Sequence, residues 1–242
     1  MDIISHDIDN YNIKEYVGKK IYIIENLFTK EDCNEFINLI NQLPKCNEYI
    51  KPGSNVQGHK NILREMLLID DSNYYKFDIS LKNVKITNKL NGLSQYDIRK
   101  YIQKLNKKFE NVYGIFKKIN GRISVKYNSD YIMRIITGAT LLHADNLVKD
   151  KSFILNQLLR EFESDSLNMN MNVDRALTTI IALNSDYDGG ELVFPDQDVT
   201  IKLKEGNIVC FPPYWTHPHR SNELLNDTNR YTITCWHGDI QK

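Results

Sequence analysis

Apolar and polar positions change rhythm several times along this chain. Lys20-Ile-Tyr-Ile-Ile-Glu-Asn-Leu-Phe28 is rich in β-branched and aromatic residues and reads as a strand. Thr29 follows, with Asp32 three positions on, which is a capping-box start for a helix. Apolar residues at Cys33, Phe36, Ile37 and Ile40 repeat at helical spacing until Pro44 ends the pattern. A second cap at Ser94 to Asp97 opens a longer stripe: Ile98, Tyr101, Ile102, Leu105, Phe109, Val112 and Tyr113. That amphipathic helix is expected to back a sheet. Residues 1–18 are polar and unpatterned and read as a loose lead-in. Lys45 to Lys60, with Pro52-Gly53 and Gly58, reads as loop, and 63–90 supports no firm assignment.

After Gly121 the rhythm turns to strands. Arg122 to Tyr127 alternates, Asn128-Ser-Asp130 reads as a turn, and Tyr131 to Thr137 as the returning strand. From Arg175 the strands come quickly: 175–184, 191–194, 199–203, 207–211, one carrying the late histidines, and 230–237. Turns fall at Asp186–Gly190 and Glu205-Gly206. Short, turn-punctuated strands at this density predict a mainly β fold with flanking helices and a jelly-roll core. The expected organisation is a single domain over 1–242, with a strand-and-helix elaboration in 1–119 and the jelly roll in 120–240. Residues 147–172 break the strand rhythm and are expected to form a flap, with a short helix over 152–162.

Charge and cysteine usage narrow the setting. The 31 basic and 31 acidic residues balance, so no net field recruits nucleic acid or an anionic membrane. Met1-Asp-Ile-Ile-Ser-His lacks the basic and apolar regions of a secretory signal, and no apolar run approaches the ~20 residues of a membrane span. Cysteines 33, 46, 210 and 235 form no CxxC pair, and Cys210 and Cys235 sit in apolar strand patterns as buried free thiols do. The expectation is a soluble, cytoplasmic protein in a reducing compartment.

The candidate chemistry lies between His143 and Trp236. In an extended strand residues i and i+2 share a face, so His143 and Asp145 can both reach one ion. A later histidine completes two imidazoles and one carboxylate on one side of a metal, the set that suits non-haem Fe(II) and oxygen chemistry. His217 and His219 both qualify, and alternation cannot separate them because they too are two apart. Asp150, Asp165 and Asp174 have no histidine two residues away. His6, His59 and His237 read as surface or packing residues. Gly189-Gly190 is a turn requirement, not a phosphate cradle, because no helix follows. The aromatic run Phe211-Pro-Pro-Tyr-Trp215 reads as edge packing.

Taken together, His143-x-Asp145, Leu183-Asn184 leading to Gly189-Gly190-Glu-Leu-Val-Phe-Pro195, a distal histidine and Arg230-Tyr-x-Ile-x-x-Trp236 resemble the 2-oxoglutarate/Fe(II) dioxygenases. Within them the likeness is to the prolyl 4-hydroxylase-type branch, over about 20–45 and 120–238. The resemblance implies a double-stranded β-helix with Fe(II) on His143, Asp145 and one late histidine. It also implies that 2-oxoglutarate chelates the metal, with its far carboxylate on Arg230 and Thr232. The cosubstrates would be O2 and 2-oxoglutarate, with ascorbate as reductant. The family spacing to the basic residue is close to ten, which favours His219, eleven before Arg230, over His217, thirteen before it. Trp215-Thr-His-Pro-His-Arg220 also resembles a WTHxHR pattern whose second histidine is the ligand. His217 then becomes second-shell or substrate-facing, Arg220 a candidate for substrate contact or a plain surface residue, and Trp236 a cavity wall or core residue.

The chain departs from the family pattern in two places. A tyrosine is usual on the strand before HxD and another just before Leu-Asn, whereas here stand Ile135-Ile136 and Ala182. Tyr127, Tyr131 or Arg134 would have to take their part. The function implied is hydroxylation of an unactivated C–H bond, on a prolyl or other peptidyl side chain or a small amino-acid-like substrate. An aspartate ligand favours hydroxylation over halogenation. Two other classes compete: a jelly-roll module that binds a metal or small ligand without turnover, and a cupin-type oxygenase that uses no 2-oxoglutarate.

Overall fold

The computed structural model describes residues 2–42, 45–46, 65–67, 95–119, 127–136, 138–140, 142–145 and 173–240. The expected flap at 147–172 and His59 lie outside them. Thr29 caps the first helix, α1 (Lys30–Gln42), in the reciprocal way the sequence suggests. The Asp32 amide donates to Thr29 Oγ1 at 3.1 Å, and the Thr29 amide to Asp32 Oδ2 at 3.0 Å. Lys104 and Lys108 of the second helix, α2 (Gln95–Ile119), close on the same carboxylate. Against the rise that burial alone would cause, these bonds hold Asp32 down to about 2.

The strands are β1 (Ile3–Ile8), β2 (Tyr11–Tyr16), β3 (Ile21–Ile24), β4 (Lys45–Cys46), β5 (Glu65–Leu67), β6 (Tyr127–Ile136) and β7 (Val173–Ala182), then β8 (Asp188–Gly189), β9 (Leu192–Phe194), β10 (Val199–Ile201), β11 (Ile208–Phe211), β12 (Arg220–Ser221), β13 (Leu224–Leu225) and β14 (Arg230–Ile240). Among the described residues they make a nine-stranded sheet, β1-β2-β3-β11-β7-β14-β6-β5-β4, facing a small sheet β10-β9-β12, with a β13-β8 ribbon beside them. The pairings are antiparallel, the mainly β jelly-roll core with flanking helices that the strand density predicts.

Three expectations fail here, each for a physical reason. Residues 1–18 are not a loose lead-in. They form the β1–β2 hairpin, whose two-residue turn at Asp9-Asn10 has φ of 53° and 67°, as a type I′ turn requires. Its polar faces hid the strand period. Asn128-Ser-Asp130 is no turn but part of a continuous β6, because pairing with β14 overrides local turn propensity. Lys45-Cys46, read as loop, pairs with β5 at the far edge.

The central strands of the large sheet are buried on both faces. One face packs under the helices, with Phe36 and Ile40 of α1 and Leu105, Phe109 and Phe116 of α2 against Ile24, Ile181, Ile233 and Cys235. The other face places Ile23, Ala182, Val209 and Phe211 against Leu192, Phe194, Val199 and Ile201 of the small sheet. Because side chains alternate along β14, Ile233 and Cys235 go to the helices while Thr232, Thr234 and Trp236 face the space between the sheets.

His237 is a packing residue, as expected, and fully buried. Tyr113 donates to its Nδ1 at 2.8 Å, and its Nε2–H donates to Thr179 Oγ1 at 2.8 Å, Thr179 in turn reaching the Cys235 carbonyl. Burial drives the imidazole down to about 3 from the ordinary 6.5. Between those values the unfolded chain binds a proton that the folded chain refuses. The stability tied to neutral His237 is therefore complete above pH 6.5 and is lost as pH falls toward about 3. Urea unfolding across that range should show a shallower acid loss for His237→Gln than for the parent protein. Parallel slopes would remove His237 from the account.

Candidate active site

The segment 138–145 is pinned along β12 before it reaches the site. Thr140 and Ser221 share three hydrogen bonds, two involving the Thr140 hydroxyl. His143 and His219 then pair backbone to backbone, amide to carbonyl in both directions at 3.0 and 2.8 Å. This bridge sets the two imidazoles side by side, ring centroids 4.4 Å apart. Asp145 turns in beneath them. Its Oδ1 lies 3.7 Å from His143 Nε2 and its Oδ2 3.8 Å from His219 Nε2. One donor atom from each of the three residues falls within 4.8 Å of the other two.

Two of the three donors, His219 and Asp145, are held by groups behind them. Phe211 and Phe194 wall His219, with centroids at 4.7 and 5.6 Å. Its Nδ1–H donates to the His217 carbonyl at 3.2 Å, which leaves Nε2 with its lone pair toward Asp145. Burial, opposed by the Asp145 carboxylate, lowers His219 to about 4 and keeps it neutral. Burial would raise Asp145, but the His219 and His143 rings and the bond from Thr178 outweigh it and hold the carboxyl below its ordinary value. Thr178 Oγ1 donates to Asp145 Oδ2 at 2.7 Å, and Arg175 Nη1 to the Asp145 carbonyl at 2.5 Å. The Arg175 guanidinium also stacks 4.1 Å from the Trp236 ring.

This donor set fits a small divalent ion. Two atoms sharing one ion through bonds of about 2.1 Å can be no more than about 4.2 Å apart, and the two carboxylate–imidazole gaps, one from each carboxylate oxygen, lie inside that limit. Two imidazoles and one carboxylate on one side leave the opposite positions open.

The far end of the same face holds Arg230. It is 7 % exposed, and its Nη1 donates to the Gly190 carbonyl at 2.5 Å. Gly190, with φ of 66°, and Gly189, with φ of 68°, allow this turn; a Cβ on Gly189 would meet the Glu223 carbonyl at 2.2 Å. Tyr187, buried beside it, interacts electrostatically with the guanidinium and donates to the Leu203 carbonyl at 3.3 Å. Arg230 Nε and the hydroxyls of Thr232 and Thr234 are buried without a hydrogen-bond partner. Such orphaned groups cost about 1–3 kcal/mol each unless something fills the space. A buried guanidinium with bonding capacity to spare fits an anionic ligand.

The structure separates the two late histidines. His217 lies in a turn closed by its own amide to the Tyr214 carbonyl, so it does not share a strand face with His219. Its Nε2–H donates to the Lys19 carbonyl at 2.8 Å, which ties the β2–β3 turn to this loop. Arg220 points to Asn222 on the surface, and its Nη1 donates to Asn222 Oδ1 at 2.7 Å. Tyr131 leaves the site altogether: it stacks on Phe109 and donates to Asn106 on the helix side. The side chains of Tyr127 and Asp174 lie outside the described residues, as do Asp150 and Asp165. His6 is paired with Glu15 on the hairpin.

Sequence reasoning missed Thr178, Arg175 and Tyr187. A signal existed for the first. Thr178-Thr179 interrupts the aliphatic run of a buried strand, so one hydroxyl must be satisfied on each face; Thr178 meets Asp145, and Thr179 meets His237.

Residues 134–238 match the model of the 2OG-Fe(II) oxygenase superfamily. The chain carries a 2OG-Fe(II) oxygenase domain. Solved structures share the fold of this oxygenase at low identity. The viral collagen prolyl hydroxylase of Paramecium bursaria Chlorella virus-1, in its 2OG complex, has 16 % identity and a TM-score of 0.54, over 93 % of this chain and 98 % of that one. A Trichoplax adhaerens prolyl hydroxylase in complex with a hypoxia inducible factor peptide fragment has 13 % and 0.56, over 92 % and 84 %. A Pseudomonas putida prolyl-4-hydroxylase has 12 % and 0.50, over 93 % and 95 %. No curated protein matches the chain by sequence. No helix among the oxygenase's described residues is long and apolar enough to cross a membrane.

The Tyr187 hydroxyl is a buried polar group beside Arg230, and it can be removed alone. Tyr187→Phe should weaken 2-oxoglutarate binding by up to about tenfold, the loss of one polar neighbour of a charged group. Metal affinity should be unchanged, and titration of the metal-loaded protein checks both.

Proposed function

We propose that this oxygenase hydroxylates an unactivated C–H bond, with a prolyl or other peptidyl side chain as the substrate class. His143, Asp145 and His219 hold Fe(II) in this reading, and Arg230 with Thr232 takes the far carboxylate of 2-oxoglutarate. The observation that carries it is the pairing of a compact His-Asp-His set with a buried, under-bonded arginine on the same inner wall. When bound, Fe(II) would let O2 act as the oxidant: one oxygen atom would go to succinate as 2-oxoglutarate gives up two electrons and CO2, and the other to the hydroxylated product.

The protein's own part is positional. The backbone bridge fixes the two imidazoles, and Thr178 aims the carboxylate. Trp236 and Arg175 form a flat wall beside Asp145, suited to a ring-bearing side chain. The peptide class is supported by the similar structures, two of them described as a collagen prolyl hydroxylase and a prolyl hydroxylase holding a peptide fragment. Cys33, Cys210 and Cys235 are free and buried, which accords with a reducing, cytoplasmic setting. We take residues 1–242 as one catalytic unit, since β1 to β5 complete the sheet that bears the site.

The test is succinate release from 2-oxoglutarate by the purified protein with Fe(II), ascorbate and air, without and with proline-containing peptides. Stimulation by peptide, with one oxygen atom gained by the peptide in mass spectrometry, is the expected result. Absence of succinate together with absence of 2-oxoglutarate binding would instead favour a non-catalytic binding module.

A further inference from the structure

The nine-stranded sheet ends on β1, and among the described residues no strand covers its outer side. The strand is exposed along its length apart from half-buried His6 and Ile8. Ile3 and Ile4 are 48 % and 50 % exposed, and Val17 beside them is exposed as well. Open edges are ordinarily blunted by lysine, proline or a bulge. β1 has none of these. Ile-Ile-Ser-His-Asp-Ile pairs with β2 residue for residue without a break, and the lysine of the two strands, Lys14, lies on β2.

The phase of the hydrogen bonds fixes what this edge offers. The Val17 amide donates to the Asp2 carbonyl at 3.0 Å, and the two residues continue the β1–β2 register. Bonded and non-bonded pairs alternate along an antiparallel ladder. Asp2, Ile4, His6 and Ile8 therefore turn their backbone groups toward β2, and Ile3, Ser5 and Asp7 turn theirs outward. Asn12, the partner of Asp7, agrees: its carbonyl points away from β1 and accepts from the Glu25 amide at 2.9 Å.

A second copy can meet this edge antiparallel only where outward residues face outward residues. Centred on Ser5, such a register sets Ile4 against His6 and Ile3 against Asp7. Centred on Ile3, it sets Asp2 against Ile4, and centred on His6 it brings two imidazoles together. Centred on Ile4, it sets Ile4 against Ile4, Ile3 against Ser5, and Asp2 against His6. Apolar then meets apolar, and a carboxylate meets an imidazole on each side of the axis. Asp2-Ile-Ile-Ser-His6 is in this sense complementary to itself. We infer that β1 is a self-association surface, through which two copies of this chain pair antiparallel about Ile4 into one continuous sheet. β1 stands five places from β14 in the sheet order, so the pairing leaves the strands of the active site untouched. A ladder from Asp2 to His6 is small beside the ~800 Å² per partner of a standard stable complex, so the association is reversible.

The test is sedimentation equilibrium of the full chain over a micromolar concentration series. The average mass should climb from that of one chain toward that of two. Ser5→Pro removes an outward N–H that the hairpin does not use, and Ile4→Lys sets two ammonium groups on the axis. Both variants should keep the mass of one chain throughout, with melting temperatures near the parent value. The register has its own readout. A non-bonded pair on the axis brings its Cβ atoms close enough for a disulfide. Mild oxidation should therefore join two Ile4→Cys chains through the introduced thiols, located by mass spectrometry, and should not join Ser5→Cys chains in the same way. A parent that keeps the mass of one chain at every concentration would overturn the inference. A dimer that survives both Ser5→Pro and Ile4→Lys would overturn it by placing the contact elsewhere. A dimer whose Ile4→Cys form does not cross-link would overturn the register.

Discussion

Asp145→Ala should abolish succinate formation and cut metal affinity by more than about 100-fold, beyond the loss usual for groups standing behind a ligand. Asp145 supplies the only negative charge in the His-Asp-His set. Without it two imidazoles remain, and an ion drawn from water would leave its hydration shell for too little. The fold should survive, because what holds this segment is backbone. The His143–His219 bridge, the Thr140–Ser221 bonds and the Arg175 bond to the Asp145 carbonyl all outlast the substitution. A melting temperature within a few degrees of the parent, with succinate at background, is the expected pair of results. Asp145→Glu, one methylene longer, should push the carboxylate into the imidazoles and retain only a fraction of the metal affinity. Full turnover by Asp145→Ala would remove this residue from the metal site.

What the sequence made legible was mostly local. The Thr29–Asp32 cap, the stripe of α2 and the inward face of β14 each follow from spacings of a few residues. The elements that escaped are those whose cause lies far along the chain. β6 runs through Asn128-Ser-Asp130 because β14, a hundred residues later, supplies its hydrogen bonds. His217 and His219 look equivalent as letters, and only the turn closed by Tyr214 and the Lys19 carbonyl parts them. The N-terminal hairpin escaped for another reason. Its faces are too polar for a period to show, although Asp9-Asn10 is a pair that tolerates positive φ. In the candidate site, the metal-binding letters stood out as a motif, but their supports did not. Thr178, Arg175 and Tyr187 matter through what they touch, and no spacing encodes that.

The same long-range logic explains why the site is at once crowded and under-bonded. The helices fill one side of the sheet with aliphatic and aromatic side chains, so β14 must turn its polar residues inward. There the small sheet covers them, and its own inner residues are apolar: Leu192, Phe194, Val199 and Ile201. Polar groups on one wall face an apolar wall, so the protein alone cannot satisfy them. Arg230 Nε, Thr232 Oγ1 and Thr234 Oγ1 are left over for that reason. Such a wall is unfavourable by itself and well suited to a ligand that brings carboxylate oxygens.

That imbalance makes Arg230→Met the substitution with the clearest signature. In the ligand-free protein it exchanges a buried, under-bonded cation for an apolar side chain of similar length, so stability should hold or rise slightly. Replacement of buried charge by a well-packed apolar group is often neutral or favourable. In the presence of 2-oxoglutarate the sign reverses. Loss of a buried, bidentate partner for a carboxylate costs about 2 kcal/mol or more, or roughly 30-fold in Kd. Because a ligand that binds only the folded state raises the melting temperature in proportion to the logarithm of its saturation, the metal-loaded parent should melt higher as 2-oxoglutarate is added. The Arg230→Met protein should show almost no such rise at the same concentrations. Arg230→Lys keeps the charge but not the fork, and should fall between the two. A 2-oxoglutarate-dependent shift as large in Arg230→Met as in the parent would place the far carboxylate elsewhere, and the under-bonded Nε would need another ligand.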